Sequence, residues 1–163
     1  MLFPKAQKFC DYQERYQQEV RDKLYSWGAK PDEVEQIICK LIEQDYINEE
    51  RFARAFARGK FRIKHWGKNK IRRELKFRKI SEYCIKQGLL EIPDEDYLEV
   101  LKQIIEKKSH TVGARSTCPD SKQQANPNNK QGGQTPPLRY KIAQYAISRG
   151  FESDLVWNVL NKL

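Results

Sequence analysis

Between Arg51 and Lys79 the chain places thirteen Lys or Arg residues and a single acid, Glu74. The cations are Arg51, Arg54, Arg58, Lys60, Arg62, Lys64, Lys68, Lys70, Arg72, Arg73, Lys76, Arg78 and Lys79. The segment therefore carries +12, whereas the whole chain carries +9 and the remainder is net −3. Such a segment can neutralise a polyanion approached from one side, either DNA phosphates or an acidic protein surface. The scarcity of compensating acids sets it apart from an ordinary solvated helix face. Phe61 and Trp66 lie among these cations, in the connection Lys60 to Gly67. Aromatics so placed can stack on exposed bases or close the core between helices. Trp66 directly precedes a glycine, so core packing is the expectation for it.

Other chemistries find little support. Cys10, Cys39, Cys84 and Cys118 are scattered without a CxxC pair, and only His65 and His110 could assist them. Zinc needs clustered thiolate or imidazole ligands, so free thiols are expected and no metal site is predicted. His65 reads as a polar helix-end residue. No HExxH, GxSxG or phosphate-cradling Gly-rich loop occurs. The acids are dispersed along expected helix surfaces, and no enzyme or cofactor is predicted.

Apolar residues make up 39% and charged residues 33%, which suits a solvent-rich helical protein with thin cores. No run approaches the ~18 apolar residues of a membrane span. The first residues lack the apolar stretch of a secretory signal, which predicts a cytoplasmic location.

The elements that must position the cations follow from an internal repeat. Val20–Leu41, Ile71–Ile92 and Ile142–Leu163 align without gaps. Aliphatic or small apolar residues recur at Val20, Ile71 and Ile142, then at Leu24, Leu75 and Ala146. After a turn come Val34, Ile85 and Val156, then Ile38, Leu89 and Leu160, and finally Leu41, Ile92 and Leu163. Spacings of four and three put each set on one helix face, so every segment reads as helix–turn–helix. Gly28 and Gly150 stand where a left-handed C-cap is favoured. Pro31, with Asp32 and Glu33 behind it, makes a good first turn. Trp27 and Trp157 adjoin the apolar positions and read as packing residues.

A leading helix precedes each pair. In the middle copy Asn48 is the predicted N-cap, with Phe52, Phe56 and Ile63 on one side and Arg51, Arg54, Arg58 and Arg62 on another. Lys68, Arg72 and Lys76 recur every four residues on the following helix, widened by Lys70 and Arg73. In the third copy Tyr97, Leu101 and Ile104 point inward, and in the first Ala6, Phe9 and Cys10 mark a shorter helix. The predicted organisation is all-α. Three tandem three-helix repeats, 1–47, 48–92 and 93–163, form an elongated or curved molecule. Units of this size bury little alone, so neighbours should touch. The stretch 109–136, rich in Gly, Pro, Gln and Asn, is predicted to be a flexible insertion in the third repeat.

The middle repeat carries a recognisable pattern. Glu50-Arg-Phe-Ala-Arg-Ala-Phe-Ala-Arg58 resembles the RecX family signature of an acid, Arg-Phe-Ala, a later aromatic and a following Arg. Gly67-Lys-Asn-Lys-Ile-Arg-Arg-Glu-Leu75 is similar to that family's Gly-x-x-(Arg/Lys)-Ile-Arg-x-Glu-Leu helix, and Glu43-Gln-Asp-Tyr-Ile47 resembles its acidic junction. Lys79 stands where the family usually has Gly, which costs up to about 1 kcal/mol if the residue is left-handed. Asn48 replaces a common Asp, which preserves the cap, and the long polar insertion is unusual. The resemblance implies a monomeric, non-enzymatic regulator that binds the RecA recombinase filament on single- or double-stranded DNA. It also implies restraint of filament growth, ATP hydrolysis and strand exchange.

Two other classes compete on the residues alone. One is a helix-turn-helix transcriptional regulator with Lys68–Lys79 in the major groove, although only Asn69 adds a neutral base reader. The other is a helical adaptor whose basic face meets acidic side chains.

Overall fold

The computed structural model describes residues 1–114 and 137–163. Among the described residues there are nine helices and no strand. They are α1 (Leu2–Tyr12), α2 (Gln17–Ser26), α3 (Pro31–Glu43), α4 (Glu49–Lys64), α5 (Lys68–Phe77), α6 (Glu82–Leu90), α7 (Asp94–Ala114), α8 (Leu138–Ser148) and α9 (Ser153–Lys162).

Local chemistry explains the boundaries. Pro31 opens α3 with Asp32 and Glu33 in its first turn, where fixed φ and negative charge suit the helix start. Asn48 caps α4 by accepting from the Arg51 amide at 3.0 Å, and Ser81 caps α6 by accepting from the Cys84 amide. The middle helices α2, α5 and α8 all stop near the same register of the repeat. Gly28, Lys79 and Gly150 adopt φ of 85°, 60° and 99° there. Lys79 therefore keeps the left-handed turn without the glycine that relieves it.

Fourteen of the fifteen repeated apolar positions are buried. The exception is Leu163, at the C-cap of α9. Ala6, Cys10, Val20, Leu24, Val34, Ile38 and Leu41 belong to one core formed by α1–α3. A second, larger core is shared by α4–α9 and includes Phe61, Ile71, Leu75, Ile85, Tyr97, Leu101, Phe151 and Val156. The helices of the middle and third copies thus complete one another's burial, as expected of units too small to be dry alone.

Two glycines set the closest approaches inside the larger core. A Cβ on Gly88 of α6 would lie 2.7 Å from the Ala53 carbonyl oxygen of α4, so small residues let these two helices meet backbone to backbone. A Cβ on Gly67 would lie 2.1 Å from the Gly150 carbonyl carbon. Here the start of α5 meets the end of α8 head to tail. The Gly67 amide donates to Arg149 O at 2.8 Å and the Asn69 amide to Gly150 O at 3.0 Å. The Lys68 amide donates to Tyr97 Oη at 3.0 Å, and that hydroxyl donates to Glu152 Oε2 at 2.6 Å. Otherwise unmatched amides of one helix start are satisfied by the carbonyls of another helix end, with opposed partial charges facing each other.

Between the first and middle copies the junction is made by side chains. Tyr16, four residues before Val20 as Gly67 is before Ile71, packs its ring 5.2 Å from Phe52. Arg78 lies 6.0 Å from the same tyrosine ring, and Arg51 of α4 pairs with Glu14 at 2.6 Å. A bulky residue at the Gly67 register leaves no room for the backbone contact seen at the other junction.

Three expectations need correction. Ile63 shares a helix side with Phe52 but is 75% exposed. Tyr16 covers Phe52 at the start of α4 and does not extend a full helix length to Ile63, while the buried stripe instead runs through Ala53, Ala57 and Phe61. The stretch Lys60–Lys64 is the last turn of α4, so the connection is only 65–67. Finally, α7 continues through Ser109 to Ala114, into the predicted insertion. Ser109 Oγ and Thr111 Oγ1 donate back to Glu106 O and Lys107 O, and adding residues to an existing helix is easy once its nucleus exists. The remainder of that insertion, 115–136, and Cys118 lie outside the described residues.

Candidate functional site

The thirteen cations divide into two groups once their neighbours are known. Five sit against carboxylates. Arg51 of α4 pairs with Glu14 at 2.6 Å and Asp45 at 2.7 Å, and also donates to the Asp45 carbonyl. Arg54 pairs with Glu50 at 2.7 Å and Glu91 at 2.6 Å, and reaches Gln87. Lys68 pairs with Asp94 at 2.7 Å, Lys76 with Glu82 at 3.1 Å, and Arg78 with Glu74 at 2.7 Å. Hydrogen bonds from Asn48 and Arg51 hold Asp45 below the usual carboxylate range, and Lys68 does the same for Asp94. The bond to Glu14 raises the Arg51 pKa further, and the bond to Glu50 does so for Arg54. These pairs are partly solvated, so each adds little stability. Their effect is to neutralise charge and to hold side chains in place.

The remaining eight cations have no carboxylate within ion-pair distance among the described residues. On α4 these are Arg58, Lys60, Arg62 and Lys64; on α5 they are Lys70, Arg72 and Arg73, followed by Lys79 in the turn. Arg58, Arg62, Lys64, Arg72, Arg73 and Lys79 are exposed. Lys60 and Lys70 are half-buried, their ammonium groups 5.2 Å and 4.5 Å from the centre of the Trp66 ring. The ring faces attract these cations, so Trp66 works as a platform that fixes two lysines while packing on the core.

Of the two aromatics singled out from the sequence, Phe61 is buried and packs 5.9 Å from Tyr97, while Trp66 is half-buried. Phe77 escaped notice: at the end of α5 it is 85% exposed, beside Lys70 and Arg73. Its spacing of seven and four residues from those cations was the signal that could have found it.

His65 ends α4 in the left-handed conformation, φ 52°, and its Nδ1 is buried without a hydrogen-bond partner. Arg149 of the third copy closes over this helix end. Its Nη2 donates to Lys64 O at 2.6 Å, and its Nη1 to Tyr145 Oη at 2.9 Å. A guanidinium at the carbonyl end of a helix meets the negative end of its dipole.

Among the described residues no group of three or more His, Cys, Asp or Glu is placed to hold a metal ion. No described helix is long and apolar enough to cross a membrane. The arrangement is a surface of fixed and free cations, suited to binding anions.

Comparison with known proteins points one way. A family model for the second three-helix domain of RecX matches residues 48–89. The regulatory protein RecX of Lactobacillus johnsonii is 31% identical over 111 residues, 68% of this chain and 41% of that protein. The regulatory protein RecX of Bacillus cytotoxicus is 25% identical over 158 residues, 97% of this chain and 52% of that protein. The crystal structure of RecX from Lactobacillus salivarius superposes with a TM-score of 0.77 at 24% identity, covering 99% of this chain and 93% of that one, which establishes a common fold. The chain spans about half the length of the curated relatives it matches.

Proposed function

The chain belongs to the RecX family, and on that premise we propose that it binds a RecA recombinase filament on DNA and restrains it without catalysis of its own. The observation that carries the reading is the set of exposed cations of the middle copy that have no carboxylate partner among the described residues: Arg58, Arg62, Lys64, Arg72, Arg73 and Lys79. Each can neutralise a phosphate or an acidic side chain of the filament and release a bound counterion. The paired cations have a second role in this scheme. Arg51 and Arg54 tie α4 to Glu14 and Glu91, so the surface is presented on helices already held in place, which reduces the ordering cost of binding. Restraint then follows from occupancy, because a rigid helical body lying across the filament opposes the rearrangements that growth and strand exchange require.

The helix-turn-helix alternative loses support at the start of α5. A major-groove reader points the N-terminal residues of its recognition helix at base edges. Here the Gly67 and Asn69 amides are docked on the end of α8, and Lys68 is engaged by Asp94.

The test is the rate of RecA-dependent ATP hydrolysis on single-stranded DNA as the protein is titrated. Slowing at or below equal amounts supports the reading. An unchanged rate over a broad titration removes it.

A further inference from the structure

Charge summed along the sequence assigns the basic character to 51–79 alone, but the fold assembles a second cationic cluster from distant residues. A cavity of about 300 Å³ lies between the end of α4 and helices α7 and α8. Its walls include His65 from the middle copy, and Lys107, Lys108, Tyr145 and Arg149 from the third. None of the described residues lining it is acidic. The contrast with the cavity beside Lys68 is direct, since that one is lined by Asp94, Glu152 and Asp154.

Two cations of the first cavity, Arg149 and Lys108, are pre-positioned. Arg149 is held by Lys64 O and Tyr145 Oη. The Lys108 ammonium rests 4.5 Å from the centre of the Tyr145 ring. No carboxylate pairs with Lys107, Lys108 or Arg149 among the described residues. Like charges gathered around one cavity repel, and an anion entering it would relieve that repulsion. The wall residue His65 directly follows the exposed Lys64, whose carbonyl holds Arg149, so the cavity begins where the free-cation surface of α4 ends. Ile104 and Val100 add apolar wall, which suits the sugar face beside a phosphate better than a lone inorganic ion.

We propose that this cavity is a phosphate site for a single-stranded nucleic acid whose backbone passes from α4 onto α7 and α8. The proposal rests on the nucleic-acid part of the reading above.

The experiment is amide chemical-shift mapping of the labelled full chain with a short single-stranded oligonucleotide, and separately with inorganic phosphate and with poly-glutamate. Amides of Gln103, Lys107, Tyr145 and Arg149 should move with the oligonucleotide together with those of α4 and α5. The Lys107→Glu/Lys108→Glu pair should weaken oligonucleotide affinity about tenfold, with helical content unchanged. It should also flatten the logarithmic salt dependence by about 1.4, the share of two phosphate contacts on a single strand. Lys107→Gln/Lys108→Gln should give a smaller change in the same direction. Shifts confined to α4 and α5 would overturn the cavity proposal while leaving the filament reading intact. No shift anywhere would overturn its nucleic-acid part as well. Equal shifts at the cavity with phosphate alone, or with poly-glutamate at matched charge, would overturn the assignment to a nucleic-acid strand.

Discussion

Replacing Gly67 with alanine should destabilise the molecule by about 3 kcal/mol, a magnitude that follows from one contact. The added Cβ would stand 2.1, 2.2 and 2.3 Å from Gly150 C, Gly150 O and Phe151 N, all backbone atoms. Reaching ordinary contact at 3.4 Å requires α5 and the end of α8 to part by about 1.3 Å. The Gly67–Arg149 and Asn69–Gly150 hydrogen bonds, 2.8 and 3.0 Å long, would then exceed bonding distance. Two lost bonds at about 1 kcal/mol each, plus residual strain of about 1 kcal/mol, give the total. For a chain of this length that corresponds to a Tm lower by about 6–12 °C. Far-UV circular dichroism during heating reads it directly. Gly59→Ala is the control: nothing lies within 4 Å of its Cβ position, and a helix-interior alanine should stabilise by about 0.5–1 kcal/mol. A Gly67→Ala loss no larger than about 2 °C would refute the view that this junction depends on backbone contact.

Other outcomes follow from the same geometry. Lys79→Gly should stabilise by up to about 1 kcal/mol in urea unfolding by relieving a left-handed lysine. Asn48→Ala should cost about 1 kcal/mol in the same assay through loss of the α4 cap. Burial lifts the Cys10 thiol to about 11, so at pH 8 mass spectrometry should find Cys39, which is exposed, alkylated and Cys10 untouched until the chain unfolds. Burial and the bond to Glu152 raise the Tyr97 hydroxyl above its ordinary 10.0. That stabilisation is fully present below pH 10 and is lost as pH rises beyond it, so alkaline unfolding of wild type should be steeper than that of Tyr97→Phe.

The helical repeat was legible because burial of one helix face imposes a period that survives in any single sequence. Val20, Ile71 and Ile142 share a register, and each is buried. Capping was legible for the same local reason at Asn48 and Pro31. What local pattern does not hold is which distant group arrives where. Glu14, Glu91 and Asp94 fold in from outside the basic segment and neutralise Arg51, Arg54 and Lys68, so a charge count along the chain overstated the free charge. The same blindness hid Lys107, Lys108 and Arg149, which meet His65 only in three dimensions. Ile63 has the periodicity of a core residue, but none of the described residues covers it. The residues 109–114 look like loop by composition, yet continue a helix that earlier residues had nucleated.

The central claim is that unpaired cations on the middle copy engage the recombinase filament, while paired ones hold the helices. The direct measurement is RecA-dependent ATP hydrolysis on single-stranded DNA with three proteins of matched helical content. These are wild type, the charge reversal Arg58→Glu/Arg62→Glu/Arg72→Glu/Arg73→Glu, and the neutralised pair Arg51→Gln/Arg54→Gln. Inhibition by wild type and the neutralised pair, with none by the charge reversal, is the expected result. Full inhibition by the charge reversal would contradict the claim.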